Sequence, residues 1–359
     1  MTPSRLAVFV LAAVGCGRAP SVSPVEDAVI DVFGPGALLG RFPQDPTAVT
    51  GDTLLEGALE IAVDDKSIFV LDQRASVVWH LDLAARPVAR LGPPGRGPGE
   101  LDSPVSIRLG PDGSVWVAQP RAGRLTRIDP EGSSRVDVRT PFPAVNFGVL
   151  ADGRPIVPTM SAATLFQAIE ADGSTEELRI ADRALPPALR RGPQDRLSFR
   201  GLQVVRLYGG ELAVLQNRHG TDFSLWGVGT AGAASAGMRV SARPLPGWLY
   251  DLLEQETEQV RATLSEEFAT GDFMIPFKGL HFGDRRIWLV PAPSHRALAV
   301  GLPLADGESV HVIVGRSGEH AGLIDAAVME GRLVALYQTE VRVHELVRLP
   351  RSEFTVPGR

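Results

Sequence analysis

The segment Leu91–Ser133 reads LGPPGRGPGELDSPVSIRLGPDGSVWVAQPRAGRLTRIDPEGS and carries the clearest fold signal in the chain. An apolar run at 105–109 leads through Pro111-Asp112-Gly113 into a second apolar run at 115–117. An Asp-Gly turn between two apolar runs is typical of a β-hairpin. Residues 124–128 then provide a third short strand. The segment therefore predicts three consecutive antiparallel strands.

The same pattern recurs along the chain. Six hairpins are predicted, with paired strands at 59–63 and 67–71, 105–109 and 115–117, 147–150 and 155–157, 204–207 and 212–215, 280–282 and 287–290, and 324–328 and 333–336. Anchor residues in the second strands (Phe69, Trp116, Ile156, Ala213, Trp288 and Val334) are separated by 47, 40, 57, 75 and 46 residues. Three of these intervals fall near the period of about 40–50 residues that four-stranded propeller blades show.

Third strands follow the hairpins at 77–81, 124–128, 165–169, 223–227, 297–301 and 341–346. Only one amphipathic helix is visible, which excludes a doubly wound α/β fold, because that fold needs a helix after each strand. The sequence predicts an all-β chain forming a six-bladed β-propeller of four-stranded antiparallel blades. We expect an N-terminal strand at Ala28–Phe33 to close the ring with the C-terminal strands.

Leu91–Ser133 resembles NHL-type repeats and the related six-bladed propeller lipoproteins. The matching residues are Gly95, Gly97, Pro98, Gly99, Glu100, Pro104, Asp112, Gly113, Val115, Val117, Ala118, Arg124, Ile128 and Asp129. Gln119 stands where the family usually has Asp, whereas the preceding blade keeps that residue as Asp72. The resemblance implies a propeller but not an activity, because propellers host many functions.

Residues 246–276 depart from the repeat. Trp248, Leu252, Val260, Leu264 and Phe268 lie on one helical face of an acidic segment between the fourth and fifth blades. This pattern predicts a helical insertion, formed by one amphipathic helix or by two short ones. Two alternatives stay open: a helix packed against the side or rim of the propeller, and a lid or a docking element for a partner.

The N-terminal residues have the pattern of an export signal. Arg5 precedes a ten-residue apolar run at 6–15, which is too short to cross a bilayer as a helix. The run ends in Ala13-Val14-Gly15-Cys16, which resembles the lipobox of bacterial lipoproteins. We expect a signal peptide at 1–15, a lipidated Cys16 with a polar tether to residue 28, and the propeller at 29–356. An ordinary secretory signal is the alternative.

Under the lipoprotein reading, Cys16 anchors an exported domain to the bacterial cell envelope through its acyl chains. Gly17 rather than Asp follows Cys16. By resemblance to lipoprotein sorting rules, this favours the outer membrane in a cell that has one. Cys16 is the only cysteine, so an intramolecular disulfide is impossible.

Composition restricts the possible functions. The chain has 359 residues, 36 Lys and Arg against 42 Asp and Glu, and a net charge of −6. Without a long basic run, this balance argues against nucleic-acid binding, which needs a cationic surface. A hydrophobic content of 44% excludes an intrinsically disordered chain.

Catalytic motifs are sparse. No two of the seven histidines have zinc-ligand spacing, and there is no G-x-S-x-G elbow. His80 and His344 lie in predicted third strands and are expected to be surface or interblade residues. The Gly-rich stretch 92–99 lacks the Gly-Lys-Ser/Thr ending of a phosphate-binding loop, so we expect a crossing between blades.

Two functional hypotheses follow. The leading hypothesis is a non-enzymatic binding or scaffolding module for a protein, peptide or glycan of the envelope. The alternative is a metal-dependent hydrolase of the gluconolactonase type, which would hold calcium in the central channel with oxygen ligands. Glu56 and Asn146 are the candidate ligands by that resemblance, and no third ligand stands out.

Overall fold

Short strands joined by polar turns make up the part of the chain that the computed structural model describes. The described residues are 28–33, 38–43, 54–145, 147–150, 152–158, 166–178, 203–206, 212–218, 222–228, 239–242, 277–283, 286–291, 298–303, 309–315 and 323–349. Within these ranges every regular element is a β-strand. No helix in them is long and apolar enough to cross a membrane. The predicted helical insertion at 246–276 and the predicted signal at 1–15 lie outside the described residues.

The strands are numbered in chain order. The N-terminal half contains β1 (Ala28–Phe33), β2 (Leu38–Phe42), β3 (Ala58–Val63), β4 (Ser67–Asp72), β5 (Val77–Asp82), β6 (Pro87–Leu91), β7 (Ser106–Leu109), β8 (Val115–Gln119), β9 (Arg124–Ile128), β10 (Arg135–Arg139), β11 (Gly148–Val149), β12 (Pro155–Pro158), β13 (Phe166–Ile169) and β14 (Thr175–Leu178). The C-terminal half contains β15 (Gln203–Arg206), β16 (Leu212–Arg218), β17 (Asp222–Val228), β18 (Arg239–Ala242), β19 (Phe277–Gly283), β20 (Arg286–Pro291), β21 (Leu298–Pro303), β22 (Val310–Gly315), β23 (Asp325–Met329), β24 (Arg332–Leu336), β25 (Val341–Glu345) and β26 (Val347–Arg348).

The described strands form five four-stranded sheets and one six-stranded sheet. Sheets 1 to 4 are β3–β6, β7–β10, β11–β14 and β15–β18, each built from strands consecutive in sequence. Sheet 5 contains β19–β22 together with β1 and β26, and sheet 6 contains β23–β25 together with β2. All six predicted hairpins and all six predicted third strands are present, so the repeat inferred from local turn signals is confirmed.

Ala28–Phe33 forms a strand, β1, that pairs with the C-terminal strand β26, as predicted, but it belongs to sheet 5 rather than to the last sheet. β1 lies between β22 and the edge strand β26. It is parallel to β22, with Ala28 paired to Val310, and antiparallel to β26. The strand that completes sheet 6 is β2, which pairs antiparallel with β25. Two N-terminal segments therefore join two different sheets, because each finds an unpaired outer strand to bond.

A buried ionic cluster holds β1 in place. Asp31 is 5% exposed and accepts hydrogen bonds from His311 Nε2 and Arg348 Nε, both at 2.5 Å. Burial alone would raise the pKa of Asp31, but the bonds from these two side chains outweigh it and hold the pKa below its usual value. The cluster links β1 to β22 on one side and to β26 on the other.

The central strands of the sheets are apolar on both faces because sheets pack against both of their faces. In β4, Ile68 and Val70 belong to a cluster shared with sheet 6, whereas Phe69 and Leu71 belong to one shared with sheet 2. Similar clusters join sheet 2 to sheet 3 and sheet 5 to sheet 6. The outermost strand of sheet 1, β6, is mostly exposed.

The first strands of successive sheets are neighbours. β3 lies beside β7, β7 beside β11, β11 beside β15, β15 beside β19, β19 beside β23, and β23 beside β3. We call the first strand of each sheet, which lies beside the first strands of other sheets, the inner strand, and the strand at the opposite edge the outer strand. We call the end of the sheets that carries the turns between first and second strands the turn end.

Candidate functional site

The innermost strands bring two carboxylates to equivalent positions. Asp325 precedes Ala326, which pairs with Ala335, and Glu60 precedes Ile61, which pairs with Val70. Asp325 Oδ2 accepts a hydrogen bond from the backbone N–H of Ile61 in sheet 1 at 3.0 Å. Glu60 Oε2 accepts one from the backbone N–H of Ile107 in sheet 2 at 2.8 Å. Each carboxylate therefore ties its own sheet to the first strand of the next one.

The second oxygen of each carboxylate is also occupied. Asp325 Oδ1 accepts from the N–H of Ala326 at 2.9 Å. Glu60 Oε1 accepts from Arg108 Nη1 at 2.6 Å, and both side chains are largely buried. Oxygens that hold backbone amides and a guanidinium stabilise the packing of the sheets. They would have to give up these bonds to hold a cation.

Asp72 fixes the loop that leads into β3. The carboxylate is fully buried and accepts three backbone hydrogen bonds, from Glu56 at 2.7 Å, Gly57 at 3.0 Å and Ala75 at 3.1 Å. This explains why the repeat pattern has Asp at the end of the second strand. An acceptor with two oxygens can bond both the incoming loop and the turn that follows.

Of the two predicted metal ligands, only Glu56 lies in the described residues. The Glu56 side chain is exposed, and its residue is held through its backbone N–H by Asp72. Asn146 lies outside the described residues. Within the part of the chain that the structure describes, no three His, Cys, Asp or Glu side chains are grouped as metal ligands.

Gln119 stands where the repeat pattern predicts Asp, and unlike Asp its side chain can also donate a hydrogen bond. Its Oε1 accepts from the N–H of Asp102 at 2.7 Å, as Asp72 does for its own loop. Its Nε2 donates to Thr126 Oγ1 at 2.6 Å, and Thr126 in turn donates to Asp137 at 2.6 Å. Arg124 completes the network by bonding Asp137 at 3.0 Å. The departure from the family pattern is thus compensated by a buried chain of hydrogen bonds.

The Gly-rich stretch 92–99 connects β6 to β7, as predicted. Glu100 closes this loop by accepting from the N–H of Gly97 at 2.7 Å. Gly95 has a φ of +151°, and a Cβ there would lie 2.1 Å from Glu100 Oε2. Because the glycines are needed for this packing, their role in the loop is structural.

The two singled-out histidines lie in third strands, as predicted. His80 Nε2 is 2.9 Å from Ser67 Oγ, and its ring stacks on Phe69 with centroids 4.6 Å apart. Burial lowers the pKa of His80 below its usual value. His344 is 1% exposed and packs against Phe33, with ring centroids 5.0 Å apart. His344 thus packs between sheets 6 and 5, whereas His80 is half-buried and stacks on a residue of its own sheet.

A groove at the turn end was not predicted from the sequence. It lies between sheets 1 and 6, is open to solvent and has a volume of about 440 Å³. The side chains that line it include Leu39, Leu83, Lys66, Arg86, Arg332 and Asp82. We call it the seam groove. Lys66 and Arg332 lie 266 positions apart, so only the packing of the first repeat against the last brings them together.

Comparison with known proteins gives a fold and no family. No protein-family model matches the chain, and no curated protein matches its sequence. The likeness of Leu91–Ser133 to NHL repeats therefore stays a resemblance. Solved structures do match, and these structural neighbours are β-propeller-like proteins.

A predicted exported protein of Bacteroides fragilis aligns with 90% of this chain and 100% of its own, with a TM-score of 0.53 and 10% identity. Virginiamycin B lyase of Staphylococcus aureus aligns with 80% of this chain and 95% of its own, with a TM-score of 0.45 and 11% identity. The PQQ-bound aldose sugar dehydrogenase of Streptomyces coelicolor covers 82% of this chain and 95% of its own, with a TM-score of 0.46 and 14% identity. At 10% identity, the Bacteroides fragilis structure shows a similarity of fold alone.

Proposed function

We propose that this chain is a lipid-anchored, six-bladed β-propeller that works outside the cytoplasm as a rigid binding or scaffolding module. Its partner would be a protein, peptide or glycan of the cell envelope. One observation carries the proposal: Asp325 and Glu60, the carboxylates of the inner strands, both hold the backbone of the next sheet. Carboxylates that bond the backbone of a neighbouring sheet hold the sheets rigidly against one another.

The six-bladed arrangement is supported by the order of neighbours among the first strands. That order returns from β23 to β3, and the sheet 6 carboxylate Asp325 bonds the sheet 1 residue Ile61. An apolar cluster containing Phe42, Trp79 and Val334 fills the space between sheets 6 and 1. A closed ring protects strand edges that would otherwise pair with other chains.

Export and anchoring are supported by the sequence at 1–16, and the structural neighbour from Bacteroides fragilis, itself a predicted exported protein, agrees with export. Two or three acyl chains on Cys16 would hold the propeller at a membrane stably, which a single chain would not. The polar residues that follow Cys16 would serve as a tether.

Replacing Cys16 with serine tests the anchor. The wild-type chain is expected in the membrane fraction after lysis and the Cys16→Ser chain in the soluble or secreted fraction, with a loss of membrane association of about tenfold or more. Ser133→Ala, a change in a surface turn, serves as the control. Equal distribution of wild type and Cys16→Ser between the fractions contradicts the anchor.

A binding partner is expected at the end of the sheets opposite the turn end. Exposed residues there include Arg74 and Arg121, in turns between second and third strands. The full-length chain carrying a photo-crosslinker at Ala122 is expected to capture one envelope component reproducibly. Capture should fall at least fivefold with Arg74→Glu plus Arg121→Glu and persist with Arg90→Glu, a charge reversal on the outer strand β6.

Two outcomes would overturn the binding-module proposal. One is the absence of any cross-linked component that responds to the charge reversals. The other is about one calcium ion per chain retained after exhaustive dialysis, together with hydrolysis of a lactone that Glu56→Gln abolishes. The second result would establish the alternative metal-dependent hydrolase.

A further inference from the structure

We propose that the seam groove is a docking site for anionic lipid headgroups and that it turns the turn end of the propeller towards the membrane. This inference rests on the lipid anchor proposed above. The occupant is the membrane surface to which Cys16 would attach the chain. Charge, exposed apolar side chains and the position of the tether each support it.

The side chains that line the groove include more cations than carboxylates. Lys66, Arg86 and Arg332 supply three cations against the single carboxylate of Asp82, which leaves a net charge of +2 among these lining residues. Asp82 is already bonded within its own loop, by the N–H groups of Ala84 and Arg86 at 2.9 Å and by Arg86 Nε at 2.7 Å. Within the described residues, no ion pair links Lys66 or Arg332 to a carboxylate. A phosphate group could therefore be held by these two cations.

Exposed apolar side chains border these charges. Leu39, in the groove wall, is 47% exposed, and its neighbour Leu38 is 42% exposed. Val88, near the turn end of the outer strand of sheet 1, is 60% exposed. Cations beside exposed aliphatic side chains suit the boundary between headgroups and acyl chains, where Lys and Arg bind anionic lipids and Leu enters the apolar layer.

Ala28, the residue to which the proposed tether would connect, lies at the same end of the molecule. Ala28 pairs with Val310, the first residue of β22, which places Ala28 at the turn end of sheet 5. Residues 16 to 27 are twelve residues, and a fully extended chain of that length spans at most about 40 Å. The anchored Cys16 thus stays within reach of the turn end, which favours contact of that end with the bilayer.

The opposite end of the sheets is then left facing away from the membrane. Among the described residues, it carries the connection between β6 and β7 and the turns between second and third strands at 73–76 and 120–123. Docking through the seam groove would present these connections to partners in the envelope. The groove would in this way set the orientation that the proposed binding function needs.

Depth-dependent quenching tests the orientation. Because lipidation consumes the only native thiol, Cys16, a Leu39→Cys substitution creates a unique labelling site on the anchored, full-length protein. The labelled protein is placed in vesicles of phosphatidylglycerol and phosphatidylcholine that contain a lipid with a nitroxide headgroup. The control is a matched probe at Ala122→Cys, which is exposed in the turn between β8 and β9, at the end of the sheets opposite the turn end.

We expect the probe at position 39 to be quenched at least threefold more than the probe at 122 in phosphatidylglycerol vesicles. Each cation near an anionic surface favours docking about fivefold, so Lys66→Glu with Arg332→Glu should shift the docked-to-free ratio by tenfold or more. Arg139→Glu, a charge reversal at the exposed end of β10 away from the turn end, should leave quenching unchanged. High salt should reduce the quenching at position 39.

These measurements distinguish an error in the lipid-anchor proposal from an error in the groove proposal. If the chain is anchored but the two probes are quenched equally, or if lipid charge has no effect, the groove proposal is overturned and the anchor stands. If the chain is not anchored, flotation of the full-length protein with phosphatidylglycerol or phosphatidylcholine vesicles reports on the groove alone. Equal flotation of wild type and the Lys66→Glu, Arg332→Glu variant would then overturn it.

Discussion

Replacing Asp72 with alanine is expected to destabilise the protein by about 3–5 kcal/mol. The substitution removes the acceptor of three backbone N–H groups, on Glu56, Gly57 and Ala75, and the carboxylate lies where water has no access. A buried donor left without a partner costs about 1–3 kcal/mol, and water can reach some of the three after the loop relaxes. Chemical denaturation of the purified protein measures the change.

The loss of stability in Asp72→Ala should extend beyond the loop that Asp72 holds. The loop held by Asp72 leads directly into β3, where the N–H of Ala58 donates to the carbonyl of Gln338 in sheet 6 at 3.1 Å. Loosening it should therefore weaken the contact between the first and last sheets as well. We expect faster proteolysis near residues 54–57 in the variant than in the wild type.

Two further variants show whether the bonds or the charge matter. Asp72→Asn keeps one acceptor oxygen and the shape of the side chain, so it should lose roughly half as much stability as Asp72→Ala. Asp65→Ala removes the same charge from an exposed residue of the neighbouring turn and should change stability by less than about 0.5 kcal/mol. The explanation fails if Asp72→Ala and Asp65→Ala have equal effects.

Adding one methyl group at Gly40 is expected to cost about 3 kcal/mol. A Cβ at this position would lie 2.1 Å from the carbonyl oxygen of Ala84 and 2.6 Å from its carbonyl carbon. Both contacts are with backbone, so no side chain can turn away, and the cost should reach the upper end of the range for overpacked sites. The denaturation midpoint of Gly40→Ala against wild type measures it.

The damage should be concentrated at the strand that completes sheet 6. Moving β2 away from the turn at Ala84 would expose Phe42, which is 1% exposed and contacts Trp79 at a centroid distance of 5.0 Å. It would also separate Arg41 from Glu340, whose charged groups are 2.5 Å apart. We expect limited proteolysis between residues 28 and 54 and a red shift of tryptophan emission.

Leu39→Ala is the control for this prediction. Leu39 is the neighbouring residue of the same strand, but its side chain is half exposed, so its loss should cost less than about 1 kcal/mol. A Gly40→Ala protein as stable and as protease-resistant as Leu39→Ala would show that β2 does not pack as closely on sheet 1 as the structure places it.

What could be predicted from the sequence was local. The hairpin at Asp112-Gly113 and its five counterparts rest on turn residues and short apolar runs, and these signals act over a few residues. They therefore predicted the strand pairs and the third strands correctly. The outer strands gave weaker signals: Arg135–Arg139, for example, is mostly exposed and charged, as an edge strand is.

The order of the N-terminal strands could not be read from the chain. Ala28–Phe33 and Leu38–Phe42 are both short apolar strands, and either could complete a sheet by pattern alone. The two strands differ in their partners. In β1, Asp31 bonds His311 and Arg348. In β2, Gly40 packs against the backbone of Ala84, where a larger residue would not fit. These partners come from distant parts of the sequence, so the choice between the strands is a tertiary one.

By itself, the sequence determined the repeat, because hairpin formation depends on neighbouring residues, and it marked Asp72 and Gln119 as equivalent positions. Only the tertiary structure decided what the charges do. Asp325 bonds Ile61 across 264 residues, and Lys66 and Arg332 line the same groove, because the last sheet packs on the first. Hydrogen bonds and electrostatic attraction act over a few ångströms of space, whatever the separation along the chain.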